Sequence, residues 1–151
     1  MAVMVGKRGY YGELVVEAID RKGNRLRYIT PNTLTNEAAR LCSHLLVGDD
    51  AVNLSVIRLG VGTGTTPPER TDTSLEAEVH QQAVDAFSYP QAGQVEFQTI
   101  VEFTSPANGE LITEAGLIAG NGTSLFSRQV HTAIPKDENF RLEYRWRIVF
   151  T

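Results

Sequence analysis

Short runs of apolar and β-branched residues recur along most of the chain, and turn-forming residues separate the runs. Runs of this kind, of which residues 140–150 alternate regularly and residues 79–89 imperfectly, are typical of strands. Two runs open the chain at residues 10–19 and 25–30, and the turn-forming residues 20–24 between them predict a β-hairpin. Six further strands are predicted at residues 54–59, 79–89, 95–103, 111–119, 124–134 and 140–150.

One segment has helical spacing instead. Thr35 or Asn36 can cap its start, and Gly48 is placed to end it. The spacing predicts a helix over about residues 35–47, too short to be stable unless it lies against a sheet. Its apolar face is expected to consist of Leu34, Ala38, Leu41, Cys42, Leu45 and Leu46.

Several strands with a single helix predict a mainly β fold, an antiparallel β-sandwich of jelly-roll-like form. Strands and helices do not alternate, which argues against a parallel α/β sheet. A length of 151 residues is typical of a single domain with one hydrophobic core. We expect residues 1–32 to form an N-terminal hairpin or arm and residues 33–151 to form the sandwich domain.

Composition and charge narrow the classes of partner. The chain carries 14 Lys and Arg against 18 Asp and Glu, a net charge of −4, which argues against general binding of nucleic acid. No apolar run approaches the ~18 residues of a membrane span, so neither nucleic acid nor membrane is an expected partner. The single cysteine, Cys42, excludes an internal disulfide and a cysteine-based zinc site. The opening residues do not follow the order of a secretory signal, so we expect synthesis in the cytoplasm.

The charges are distributed unevenly along the chain. Residues 1–30 have six basic and three acidic side chains, a net +3, whereas residues 69–114 have one basic and nine acidic side chains, a net −8. One interpretation is chance, since strands expose alternate side chains; the other is that the two segments meet between copies of the chain. If the two segments do meet between copies, the expected interface residues are Lys7, Arg8, Tyr10, Tyr11, Leu14, Val16, Arg25, Arg27, Glu76 and Glu78.

Candidate chemical motifs do not indicate catalysis. The glycine loop at residues 60–68 could turn backbone N–H groups towards a phosphate, but a nucleotide site needs a helix and a lysine directly after the glycines, and Pro67 and Pro68 follow instead. The spacing of the three histidines is not that of a zinc site, and no sequence motif indicates a catalytic nucleophile or an acid/base pair. Aromatic and arginine residues alternate over residues 140–150, which predicts a strand with a core face and a solvent face. We therefore predict no enzyme, no cofactor and no catalytic or metal-binding residue.

Residues 59–78, LGVGTGTTPPERTDTSLEAE, resemble a segment common in small virion proteins of tailed bacteriophages. In these proteins a strand ends in a glycine/threonine/proline loop and a "TDT-x-L-x-x-E" stretch leads into the next strand. The similarity covers about residues 33–151. It includes the short helix at residues 36–48, "TE-x-GL" at 113–117, "LFSR" at 125–128, the "P-K" turn at 135–136 and "L-x-x-x-W-x-I-x-F" at 142–150.

The resemblance implies a non-enzymatic structural component of a phage virion, associated with the collar or neck, a tail fibre or the baseplate. The expected partners are further copies of the chain, in a ring-like homo-oligomer, and other neck, tail or fibre proteins. The expected location is the virion, after synthesis in the cytoplasm of the host bacterium. The alternative is a carbohydrate- or receptor-binding module at a fibre or baseplate tip, for which Tyr10, Tyr11 and Tyr89 are the free aromatic candidates.

Overall fold

A computed structural model of the chain describes residues 10–49, 55–120 and 122–150. The strands and the helix in this part of the chain are β1 (Tyr10–Asp20), β2 (Arg25–Leu34), α1 (Asn36–Leu46), β3 (Val56–Gly62), β4 (Glu78–Ala83), β5 (Ala86–Ser88), β6 (Gln94–Val101), β7 (Leu111–Ala119), β8 (Ser124–Pro135) and β9 (Phe140–Phe150).

The strands form one curled antiparallel sheet. Their order across the sheet is β4-β3-β7-β8-β2-β1-β9-β6-β5. Strands β4 and β5 lie at opposite ends of this order, yet only Val84 and Asp85 separate them in the chain. The side-chain amide of Gln82 in β4 donates to the carbonyl of Ile100 in β6 at 2.8 Å, so the sheet curls until its two ends meet. The predicted mainly β class, with antiparallel strands and one short helix, is confirmed.

The predicted hairpin is present, but it is not an arm. The Asp20 side chain accepts hydrogen bonds from the backbone N–H groups of Lys22 and Asn24, and Gly23 adopts a φ of 87°, which glycine adopts readily. Strand β1 lies between β2 and β9 and pairs with β9 over its whole length. The expectation of a separate arm is therefore wrong for residues 10–32, because they form the middle of the sheet.

Helix α1 begins where the sequence predicted and buries less than expected. The hydroxyl oxygen of Thr35 accepts a hydrogen bond from the backbone N–H of Ala38 at 3.1 Å. Gly48, with a φ of 68°, follows the helix end. Ala38 and Leu41 are buried, Cys42 is half-buried, and Leu46 is 88% exposed. The predicted apolar face packs over the first turns only, and Leu45 and Leu46 of the last turn are exposed.

The core lies inside the curl and joins both halves of the sheet. In β9, Leu142, Tyr144, Trp146 and Ile148 are almost completely buried, while Arg145 lies exposed on the opposite face. The predicted core face of this strand is confirmed, whereas Glu143 and Val149 on the opposite face are buried as well. The other large buried side chains include Leu14, Val16, Leu41, Leu59, Ile112 and Leu117.

Replacing Leu41 with alanine is expected to lower the free energy of unfolding by about 2–5 kcal/mol, because the cavity left in a packed core is only partly refilled. Leu45→Ala on the same helix is the matched control, since Leu45 is exposed. Urea unfolding of both variants measures the difference. Equal stabilities for the two variants would contradict the buried position of Leu41.

Candidate functional site

The residues around the glycine loop converge on one buried carboxylate, that of Glu114 in β7. Its Oε1 accepts hydrogen bonds from the backbone N–H groups of Gly64 at 3.1 Å and Ala77 at 2.7 Å. Its Oε2 accepts from the backbone N–H of Glu76 at 3.1 Å and from Nε of Arg128 at 2.8 Å. A buried charge is stable only when it is paired and hydrogen-bonded, and both oxygens of Glu114 meet that condition.

Arg128 in β8 extends this network to the far side of the loop. Its Nη1 donates to Oδ2 of Asp72 at 3.0 Å, and its Nη2 donates to the carbonyl of Thr66 at 3.0 Å. Burial works against the charge, but the bonds to Glu114 and Asp72 outweigh it and raise the pKa of Arg128. We call these residues, with Glu76, the Glu114–Arg128 network; it ties β7, β8 and the loop into one unit.

The glycines of the loop are required by close packing. A Cβ atom on Gly64 would lie 2.6 Å from both Oε1 of Glu114 and Cβ of Glu76, and one on Gly62 would collide with the carbonyl of Ala77. No helix follows these glycines in the loop before β4, as the sequence predicted. The N–H of Gly64 is bound to Glu114 in the interior and that of Thr66 is bound to Glu76 at the surface, so both donors already have a partner within the chain.

The network was not predicted from the sequence, although its residues lie in the segments on which the resemblance to phage proteins was based. Asp72 and Glu76 come from the "TDT-x-L-x-x-E" stretch, Glu114 from "TE-x-GL" and Arg128 from "LFSR". The signal that could have found it is the one charge in each strand: Glu114 in the largely apolar β7 and Arg128 in β8. Such charges are rarely buried unless they are paired with one another.

The expected interface residues do not all lie on the surface. Lys7 and Arg8 are outside the described residues, and Tyr10 belongs to β1, where it is paired in register with Phe150. Tyr11 is half exposed, and its contact with another copy stays a prediction. Leu14 and Val16 are fully buried in the core of a single chain, so the expectation that they contact another copy is corrected.

The charged candidates have different surroundings. Arg25 is paired with Glu17 at 2.9 Å on the outer face of the sheet, and Arg27 is exposed. Glu76 belongs to the Glu114–Arg128 network, whereas Glu78 lies exposed in the edge strand β4. The structure of one chain does not bring the two arginines to the two glutamates. A contact between these groups in different copies stays a prediction.

An apolar groove opens between the end of helix α1 and strand β5. It has a volume of about 440 Å³, and Leu45, Phe87, Tyr89 and Phe150 line its outer rim. The Phe87 side chain is 63% exposed and that of Tyr89 is 74% exposed. Cys42 lies in the groove wall, where burial raises the pKa of its thiol. We call this feature the α1–β5 groove.

His131 is a buried group whose charge state the structure specifies. Its Nδ1 lies 2.8 Å from the carbonyl of Thr132 and therefore carries the proton, so Nε2, 3.0 Å from the Tyr144 hydroxyl, accepts a hydrogen bond from it. Burial lowers the pKa of His131, although the bond to Thr132 and the nearby charge of Glu114 act in the opposite direction. The imidazole is thus held neutral in the folded chain.

The free energy of unfolding is therefore expected to decrease as pH falls below about 6.5, the ordinary pKa of histidine in an unfolded chain. In that range the unfolded chain binds a proton that the folded chain binds only at lower pH, so acid favours unfolding. Urea unfolding at several pH values between about 7.5 and 5.5, above the range of ordinary carboxyl groups, measures the slope. His131→Gln is expected to flatten it; an unchanged slope in this variant would contradict the assignment.

Neither a metal site nor a membrane-spanning helix is found in the part of the chain that the structure describes. Within it, no three His, Cys, Asp or Glu side chains gather closely enough to hold a metal ion. No helix within the same ranges has the length and apolar character needed to cross a membrane. Comparison of the chain with protein-family models, curated proteins and solved structures gave no match.

Proposed function

We propose that the chain is a non-enzymatic structural component of a tailed bacteriophage virion. It forms a homo-oligomeric collar, neck or tail-associated assembly and attaches to neighbouring tail proteins. The observation that supports this proposal is the Glu114–Arg128 network. Residues of three separate phage-like motifs meet in it, and their polar atoms bind one another within the chain. In this arrangement the residues of the motifs stabilise the fold of the chain, which then serves as a structural scaffold.

The α1–β5 groove is the surface on which such a scaffold would hold a neighbour. Large exposed apolar side chains that lie together mark protein–protein contacts in soluble proteins. Aromatic residues supply much of the binding free energy at such contacts. The exposed rings of Phe87 and Tyr89, with centroids 5.9 Å apart, provide that kind of surface beside the end of helix α1.

Site-specific cross-linking in assembled particles tests this assignment. A photoreactive amino acid in place of Phe87 is expected to cross-link to another virion protein or to a second copy of the chain. The matched control is the same amino acid in place of Thr71, which is exposed between the glycine loop and β4 and does not line the groove. Equal cross-linking from positions 87 and 71 would exclude the groove as the attachment surface.

A second candidate function is binding of a carbohydrate receptor. Tyr89 borders a cavity of about 490 Å³ together with Gln91 and Gln94. Oε1 of Gln94 is buried and has no hydrogen-bond partner among the described residues. An exposed aromatic ring beside an amide oxygen without a partner suits the apolar face and the hydroxyl groups of a sugar. Binding to a glycan array that Tyr89→Ala abolishes would favour this function, and the absence of any glycan signal would exclude it.

A further inference from the structure

Strand β2 has an open edge over most of its length. On one side it pairs with β1 from Arg25 to Asn32. On the other side it pairs with β8 only at Thr33 and Leu34. Among the residues that the structure describes, none pairs with the second side of residues 25–32. An edge of this length offers its free N–H and C=O groups to another strand.

The hairpin geometry shows which backbone groups point outward. The N–H of Asp20 donates to the carbonyl of Asn24 at 3.0 Å, so these two residues form a hydrogen-bonded pair. Hydrogen-bonded pairs recur at every second position of an antiparallel ladder. The even-numbered residues of β2 therefore bond to β1, and the backbone groups of Arg27 and Ile29 point away from it. Pro31 belongs to the outward set, where its missing N–H breaks no bond within the sheet.

Apolar side chains flank this open edge on both faces of the strand. Leu26 is 64% exposed and Ile29 is 59% exposed, and their even and odd positions place them on opposite faces. Leu26 and Tyr28 also border an apolar cleft of about 400 Å³ between β2 and the end of β8. A strand laid along β2 would cover apolar surface as well as bind its backbone.

We propose that two copies of this chain pair their β2 strands edge to edge and antiparallel, centred on Tyr28. In this register Arg27 of each copy lies opposite Ile29 of the other, and the two residues exchange both backbone hydrogen bonds. Arg25 lies opposite Pro31, whose carbonyl can accept from the Arg25 N–H. A two-fold axis beside Tyr28 relates the two copies, so the contact is isologous and is complete with two copies.

Charge disfavours one of the two neighbouring registers. A shift of the second copy by two positions towards its amino-terminal side would place Arg27 opposite the other copy's Arg27, and like charges opposite one another destabilise a ladder. In the proposed register each Arg27 faces an apolar residue. The charge of Arg25 is already balanced by Glu17 at 2.9 Å within its own chain. The pairing deepens the proposed function and rests on it, since it names where two copies of the structural protein meet.

Native mass spectrometry and sedimentation velocity of the purified full-length chain test the pairing. We expect a dimer, or a larger assembly built from dimers, at micromolar concentration. Arg27→Pro removes an outward N–H and is expected to raise the dimer dissociation constant at least ~10-fold, a loss that corresponds to about 1.4 kcal/mol. Arg27→Gln is the matched control: it removes the same charge, keeps the N–H, and is expected to stay dimeric.

A second variant and a second measurement cover the case in which Arg27→Pro does not fold. Ile29→Lys keeps the backbone, places a cation opposite Arg27 of the second copy, and is expected to dissociate the dimer. Hydrogen exchange is expected to show the amides of Arg27 and Ile29 protected in the dimer and unprotected after dilution to monomer.

Three results would overturn the pairing: a chain that stays monomeric at about 100 μM, an assembly that Arg27→Pro and Ile29→Lys leave intact, or free exchange of both amides in the assembly. None of these three results contradicts the proposed function if the chain is found in phage particles. Absence from particles, together with a dimer sensitive to both variants, would overturn the proposed function and leave the pairing.

Discussion

Replacing Arg128 with methionine is expected to lower the free energy of unfolding by about 3–5 kcal/mol. Methionine keeps much of the length of the side chain but removes the cation, so the carboxylate of Glu114 is left buried with its charge unbalanced. The loop loses the bond between Arg128 and the carbonyl of Thr66 at the same time. Urea unfolding at neutral pH measures the loss.

Two further variants show whether the loss comes from the buried pair. Arg147→Met removes an arginine that contacts Glu96 at 2.9 Å near the surface, and a loss of only about 0–1 kcal/mol is expected. Combining Arg128→Met with Glu114→Gln is expected to cost less than the sum of the two single changes, because the second change removes the unbalanced charge. An Arg128→Met variant as stable as Arg147→Met would contradict the network.

Removing residues 2–30 is expected to abolish folding altogether. The deletion takes away all of β1 and most of β2, and β1 is the strand that joins β2 to β9. It also removes Leu14 and Val16 from the core. This outcome is the opposite of the one that an external arm would give, in which the truncated chain would fold and only its assembly would be lost.

Circular dichroism and amide NMR spectra of the truncated chain provide the measurement. A chain lacking only residues 2–9 is the control for shortening, since it keeps the whole of β1. Dispersed amide signals and a cooperative melting transition in the chain without residues 2–30 would contradict the central position of β1.

The sequence predicted most of the strands, the hairpin and the start of the helix because each depends on neighbouring residues. Residues 79–89 were predicted as one strand, and this was wrong: they are divided into β4 and β5 at opposite ends of the sheet. Alternation in β9 reports its two faces directly, and Thr35 caps the helix through a bond to Ala38 three positions later. The burial of the last turn of the helix was predicted less well than its end at Gly48. Periodicity marked Leu45 and Leu46 as apolar, but whether a sheet lies opposite them depends on distant strands.

The central position of β1 and the Glu114–Arg128 network could not be predicted from local patterns. Strand order depends on which strands pair across the whole chain, and alternation in β1 is the same in an arm as in the middle of a sheet. The bond between Asp72 and Arg128 joins residues 56 positions apart. The motifs were visible in the sequence, but only the fold shows that they contact one another.

Quantitative peptide mass spectrometry of density-gradient-purified phage particles tests the proposed role most directly. The particles come from a culture of cells that carry the gene for this chain. We expect the chain in the particle fraction at a fixed ratio to the other tail proteins, as a structural component requires. Recovery of the chain only in the soluble fraction, with none in intact particles, would contradict a role in the virion.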